Sequence, residues 1–206
     1  TELIMDNFLN NGRFRIDGKA KAMIVTDSRP NAVRYYLAIQ EEVKKLPDGA
    51  KILEVGAFTG RGTRAILDCL KPTHSFSVLD PWDTDWLIEN GIDKDIVTIC
   101  NGLNSIAQRT KLITKTRSFY EAWKSNVDDH PKFDQCKTYQ ERSLDHTETN
   151  YDLVILDGCH LYDVVFDELN KFSHVPVIIM DDYGLDNQIV DSGVTAAIAD
   201  YAKQNK

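Results

Sequence analysis

Lys51-Ile52-Leu53-Glu54-Val55-Gly56-Ala57-Phe58-Thr59-Gly60-Arg61-Gly62 is the stretch that decides the fold. Lys51 to Val55 is a short, mostly apolar run closed by a glycine, the pattern of a strand buried on both faces. A glycine-rich turn follows, and Thr63 to Leu70 then reads as a helix stopped by Pro72. The same alternation spreads outward. Further strands are expected over 75–79, within 132–139, over 151–157 and over 176–180. Further helices are expected from Pro30 to Leu46, over 161–172 and from Gly193 to Gln204. Strands alternating with helices predict an α/β fold: a Rossmann-like, doubly wound, mainly parallel sheet with helices on both faces.

The 206 residues suit one domain. Residues 1–30 form an N-terminal segment, and 83–131 read as a helical insertion or lid, too long for a plain crossover between strands. The net charge of -8 argues against a nucleic-acid partner, because phosphate contacts need Lys and Arg. Local basic patches such as Arg61 with Arg64 read as solvated helix faces. No run approaches the ~20 apolar residues of a membrane span, and the start of the chain has no signal-peptide pattern. Cys69, Cys100, Cys136 and Cys159 are widely spaced, so neither a zinc knuckle nor a disulfide framework is expected, and a cytoplasmic setting fits.

In parallel α/β sheets, ligands sit beyond the carboxyl ends of the strands, where strand order reverses. Asp80, Asp157, Asp181 and Asp182 lie at such ends, and Glu54 stands one residue before the end of its strand. A carboxylate inside an apolar strand is costly unless it is paired, so Glu54 calls for a hydrogen-bond donor or a cationic ligand group. Asp80 follows Gly60 by twenty residues, a position from which a carboxylate can accept both hydroxyls of a ribose. An ordinary strand-to-helix turn and a capping role for Asp80 are the alternatives. Phe58 stands where the dinucleotide fingerprint needs its middle glycine, which disfavours a nicotinamide oxidoreductase.

If the fourth and fifth strands are neighbours, Asp157, Asp181 and Asp182 converge, and three close anions need a counter-ion. Hard oxygen donors suit Mg²⁺, or a similar divalent ion such as Ca²⁺ or Mn²⁺. The alternative is that they cap helices or face water. His160, three residues after Asp157, can act as a general base near neutral pH or cap the following helix. His74, His130, His146 and His174 fall in turns and are expected to be exposed. Tyr183 is a candidate for shaping a substrate pocket, or for core packing.

The stretch E-V-G-A-F-T-G resembles the S-adenosylmethionine (SAM) motif of class I methyltransferases, and its aromatic residue is similar to that of the catechol O-methyltransferase group. L-D-G-C-H followed by I-I-M-D-D-Y resembles metal-dependent O-methyltransferases, of both the catechol and the macrocin/mycinamicin/novobiocin sugar groups. S-F-Y-E-A-W-K-S-N-V and the tail G-V-T-A-A-I-A-D-Y are similar to the sugar group. The resemblance implies that Glu54, Gly56 and Gly60 line the methionine part of SAM, that Ala57 and Phe58 belong to the cofactor site, and that Asp80 binds its ribose. Trp82 and Ser143 would approach the adenine. Asp157, Asp181 and Asp182 would hold the ion, with Asp157 also beside the cofactor, and His160 would stand where the catechol enzymes place a general-base lysine. The acceptor would be a small hydroxylated molecule, a sugar or a catechol-like ring. The family's last two strands are not expected before Lys206, which leaves an open sheet edge and makes a homodimer possible. A metal-independent methyltransferase and a non-catalytic SAM-binding domain are the competing functional readings.

Overall fold

The computed structural model describes residues 37, 39–83, 118–181 and 193–205. Its centre is a sheet of β1 (Lys51–Val55), β2 (Ser75–Leu79), β3 (Cys136–Tyr139), β4 (Leu153–Leu156) and β5 (Val177–Met180). The order is β3-β2-β1-β4-β5, and every neighbouring pair is parallel. Around it lie α1 (residues 39–45), α2 (Arg61–Cys69), α3 (Phe119–Val127), α4 (Tyr162–Lys171) and α5 (Gly193–Gln204).

Strand side chains alternate between faces, and the two halves of the core follow that alternation. Ile52, Phe76, Val78 and Ile155 pack with Val43, Leu67 and Trp123 of α1, α2 and α3. Leu53, Val55, Leu79 and Leu156 pack with Leu169 of α4 and Ala197 of α5. Helices therefore cover both faces, as the near-continuous apolar strands require. Strand order reverses between β1 and β4, where Val55 pairs with Leu156.

The element boundaries differ from the sequence pattern where polar groups find partners off the ladder. Asp152 lies before β4, because its carboxylate accepts the Lys51 N–H at 2.8 Å. Only the end of 132–139 is strand; Phe133–Gln135 forms a single 3-10 turn before it. Of the expected helical insertion, α3 is described; residues 84–117, like 1–36, lie outside the described residues.

His74, His130 and His146 correct the expectation of exposure: each is buried. Their rings tie turns to the core. His74 Nδ1 accepts the Lys71 N–H, His130 Nε2 lies 3.0 Å from Asp68 Oδ1, and His146 Nε2 lies 2.8 Å from the Tyr151 hydroxyl. Turn residues mark where a chain reverses, not what packs over the reversal. His174 is exposed.

Candidate cofactor and substrate site

The turn after β1 is shaped by two left-handed glycines, Gly56 at φ 86° and Gly60 at φ 85°. A Cβ at Gly56 would run into the backbone of Asp157 and Gly158, so glycine lets the ends of β1 and β4 close on each other. A Cβ at Gly60 would meet Val127 Cγ1 at 2.8 Å and Trp123 Cδ1 at 3.0 Å, which brings α3 against the turn. Both glycines thus answer to protein neighbours. Phe58 and Trp82 also hold positive φ, 45° and 41°, an uncommon conformation for bulky residues that needs support from surrounding contacts.

That support comes from Asp80. Its Oδ2 accepts the Phe58 N–H at 2.8 Å and its Oδ1 the Trp82 N–H at 2.7 Å. The Trp82 indole N–H donates to the Phe58 carbonyl at 2.9 Å and completes the clasp. Burial pushes the Asp80 carboxyl up, while the backbone donors of Phe58, Trp82 and Ala57 pull it back. Trp82 is buried against Tyr120 and Trp123, with ring centroids 5.1 and 5.0 Å away. Phe58 packs in a tilted arrangement on Phe119, with ring centroids 5.1 Å apart, and keeps 36% of its surface exposed, so of the two it offers the more open apolar wall.

Glu54 lies 3% exposed on the α2–α3 side of β1. Its Oε2 accepts the Thr63 hydroxyl at 2.6 Å, and the Trp123 indole N–H donates to that hydroxyl at 3.0 Å. Burial, offset in part by the Thr63 bond and reinforced by Asp80, raises its pKa to about 8. Sequence reading singled out neither Thr63 nor Trp123 as site residues. The only available signal was the buried Glu54, which demands a donor nearby.

Backbone bonds extend the ladder one residue past β4 and β5: the Asp157 N–H donates to Val55 O and the Asp181 N–H to Leu156 O. Continuing the alternation places Asp80, Asp157 and Asp181 on the same face as Glu54. Asp157 and Asp181 stand level on neighbouring strands, both half-buried. Asp182 and Tyr183 lie outside the described residues. Among the described residues no group of three or more His, Cys, Asp or Glu is arranged to hold a metal. The two carboxylates present are hard oxygen donors of the kind Mg²⁺ takes, and a third ligand would complete such a set. His160 Nε2 is 3.9 Å from Asp157 Oδ1. The start of α5 abuts this segment, since a Cβ at Gly193 would collide with the His160 carbonyl. Ser143 is held elsewhere: its hydroxyl bonds Glu168 on α4, and its carbonyl accepts Lys171 Nζ at 2.7 Å. That places it in the layer on the opposite face of the sheet from Glu54.

No protein-family model matches the chain, and no curated protein matches it. Three solved structures share its architecture. One is a candidate O-methyltransferase from Klebsiella pneumoniae, with 11% identity, 86% of this chain and 69% of that one covered, and TM-score 0.52. Another is the O-methyltransferase TomG from Streptomyces achromogenes, involved in tomaymycin synthesis and solved with SAM, at 14%, 87% and 69%, and 0.51. The third is a candidate rRNA methylase from Clostridium thermocellum, at 11%, 84% and 81%, and 0.50. The fold is a Rossmann-like fold of the class I methyltransferase type.

Proposed function

We propose that this chain is a methyltransferase domain that binds SAM across the carboxyl ends of β1 and β2. It would transfer the methyl group to a hydroxyl of a small molecule, a sugar or a catechol-like ring. The observation that carries the reading is the Asp80 clasp. The carboxylate orders the turn through the Phe58 and Trp82 N–H groups, with Ala57 as a further backbone donor, and a carboxylate has acceptor capacity beyond these for a ribose hydroxyl. Glu54, Gly56, Ala57, Phe58 and Gly60 would line the methionine portion, and Trp82 would border the adenine. Ser143, whose hydroxyl bonds Glu168, would approach the adenine from the loop after β3.

Asp157, Asp181 and Asp182 would hold a divalent ion, Mg²⁺ by preference, with Ca²⁺ or Mn²⁺ as substitutes. Such an ion, when bound, supplies a Lewis acid that makes a coordinated hydroxyl more acidic. His160 would accept the hydroxyl proton, and the exposed Leu161 beside it would offer apolar surface to the acceptor. The net charge of -8 speaks against an RNA acceptor. No helix among the described residues is long and apolar enough to cross a membrane. Cys69, Cys136 and Cys159 are free thiols, in keeping with a cytoplasmic setting.

A metal-independent reading draws on the 3.9 Å approach of Asp157 to His160, since a carboxylate there would orient the imidazole as a base without an ion. Asp181→Ala and chelation separate the two readings: activity that survives both excludes the metal. The primary test is calorimetric titration of SAM with Mg²⁺ and again with EDTA. We expect a Kd on the order of micromolar, weakened at least ~10-fold in Asp80→Ala by loss of charge-assisted hydrogen bonds. No binding by the wild type in either condition would overturn the reading.

A further inference from the structure

Glu54, Thr63 and Trp123 form a directed chain of donors through an otherwise apolar layer. The indole N–H donates to the Thr63 hydroxyl at 3.0 Å, which leaves that hydroxyl's own proton for Glu54 Oε2 at 2.6 Å. Thr63 and Trp123 are both fully buried, so water cannot take over either bond. The indole fixes the direction of the hydroxyl proton, because a hydroxyl that accepts from one side donates to the other. The second Glu54 oxygen is confined as well. Oε1 lies 2.5 Å from where a Cβ on Gly62 would stand, so any side chain at 62 would push the carboxyl out of place.

Trp123 is held in turn by α3, which grips the whole glycine turn. The Asn126 amide donates to the Thr59 carbonyl at 2.8 Å, Phe119 packs on Phe58, and Val127 lies under Gly60. Helix α3 and the 3-10 turn after it lead into β3 at the end of the long connection from β2. Its position therefore reaches the carboxyl of Glu54 through two hydrogen bonds.

We propose that Thr63 and Trp123 are positioning residues: they aim the Glu54 carboxyl, and hold it ready to ionise, for the ammonium group of an amino-acid-bearing cofactor. The inference rests on the SAM reading above and goes beyond it in assigning the control of that contact to α2 and α3. A neutral carboxyl binds an ammonium group poorly. The Thr63 bond favours the charged form of Glu54 against burial and against Asp80. Asp80 and the partly buried Cys136 thiol of β3 are the other titratable groups that interact with Glu54. Removing the hydroxyl raises Glu54 further, so the rise of cofactor affinity with pH moves to higher pH.

The test is SAM titration from pH 6.5 to 9 on wild type, Thr63→Val, Thr63→Ser and Trp123→Phe, each checked for a cooperative melt. A parallel NMR titration of ¹³C-carboxyl glutamate follows Glu54 without cofactor. Thr63→Val is expected to bind SAM about tenfold more weakly near neutral pH. Its Glu54 titration and its binding profile should both move to higher pH, and Thr63→Ser should restore both. Trp123→Phe should move them in the same direction by less. The ammonium group of SAM titrates equally in all arms and cancels in the comparison. Folded variants with wild-type affinity and profile would overturn the relay while leaving the SAM reading intact. A wild type that binds no SAM would overturn the cofactor reading and the ligand half of this proposal. The cofactor-free NMR titration would still decide whether Thr63 and Trp123 control Glu54.

Discussion

The two sides of the switch point treat their acids differently. On the β1–β2 side, Glu54 is buried under Thr63, and Asp80 is clasped by two backbone N–H groups. On the β4–β5 side, Asp157 and Asp181 stand level and half open, with His160 Nε2 3.9 Å from Asp157 Oδ1. Both sets come from the same topological rule, acids at the carboxyl ends of parallel strands. The first set is built into the protein and preorganised, which suits a cofactor of fixed shape. The second is only partly buried, which suits an ion or an exchanging substrate.

Gly56 is where the two sides touch, so changing it breaks the comparison most severely. A Cβ there collides with the Asp157 backbone, and the left-handed φ of 86° adds strain. Gly56→Ala should cost at least ~3 kcal/mol in urea unfolding. A loss under ~1 kcal/mol would mean that the β1 and β4 ends are less tightly joined than described here.

The buried side should also reveal itself through pH. Burial raises Glu54 from 4.5 to about 8, so the folded chain holds that proton more tightly than the unfolded chain. The stability gained is complete below about pH 4.5 and is lost as pH rises through about 8. Glu168, buried on α4 and raised to about 7, adds a loss of the same sign that ends earlier. Glu54→Gln removes the first contribution and keeps an acceptor for Thr63. At pH 9 it should therefore gain a few kcal/mol on the wild type, at roughly 1.4 kcal/mol per tenfold change in proton affinity. Unfolding at pH 6 and 9 checks this; a difference between the two proteins that does not change with pH would refute it.

What the sequence could and could not show follows the same divide. The parallel sheet was legible because Lys51–Val55, Ser75–Leu79 and Val177–Met180 are short runs bounded by turn residues. The bounds of α5 agree with the expected Gly193 to Gln204. Acids at strand ends were legible by position alone. Their partners were not, because Thr63 and Trp123 lie 60 residues apart on different helices, and no local pattern reports that approach. The same holds for Ser143: its place after β3 was legible, while its ties to Lys171 and Glu168 on α4 were not. Buried His74, His130 and His146 were misread for a related reason: a polar turn can lie under a neighbouring element when its ring finds partners there.

The smallest expected effect on stability is on the open side, and it sharpens the contrast most. Asp157→Asn and Asp181→Asn keep side-chain shape and remove one charge from a level, half-buried pair. Neither should change unfolding free energy by more than ~1 kcal/mol, the usual scale for charge removal at partly exposed side chains. The two acids repel, so a slight gain is as consistent as a slight loss. Function separates them from ordinary surface acids. If Mg²⁺ binds the folded chain here, it should raise the wild-type Tm with a logarithmic dependence on its concentration. Either variant should flatten that response, because loss of a ligand charge weakens a hard-cation site. SAM affinity should stay at the wild-type value in Asp181→Asn, since its carboxylate belongs to the other half of the site. A Tm response to Mg²⁺ that persists in both variants would place the ion elsewhere and leave Asp157 free to act with His160 alone.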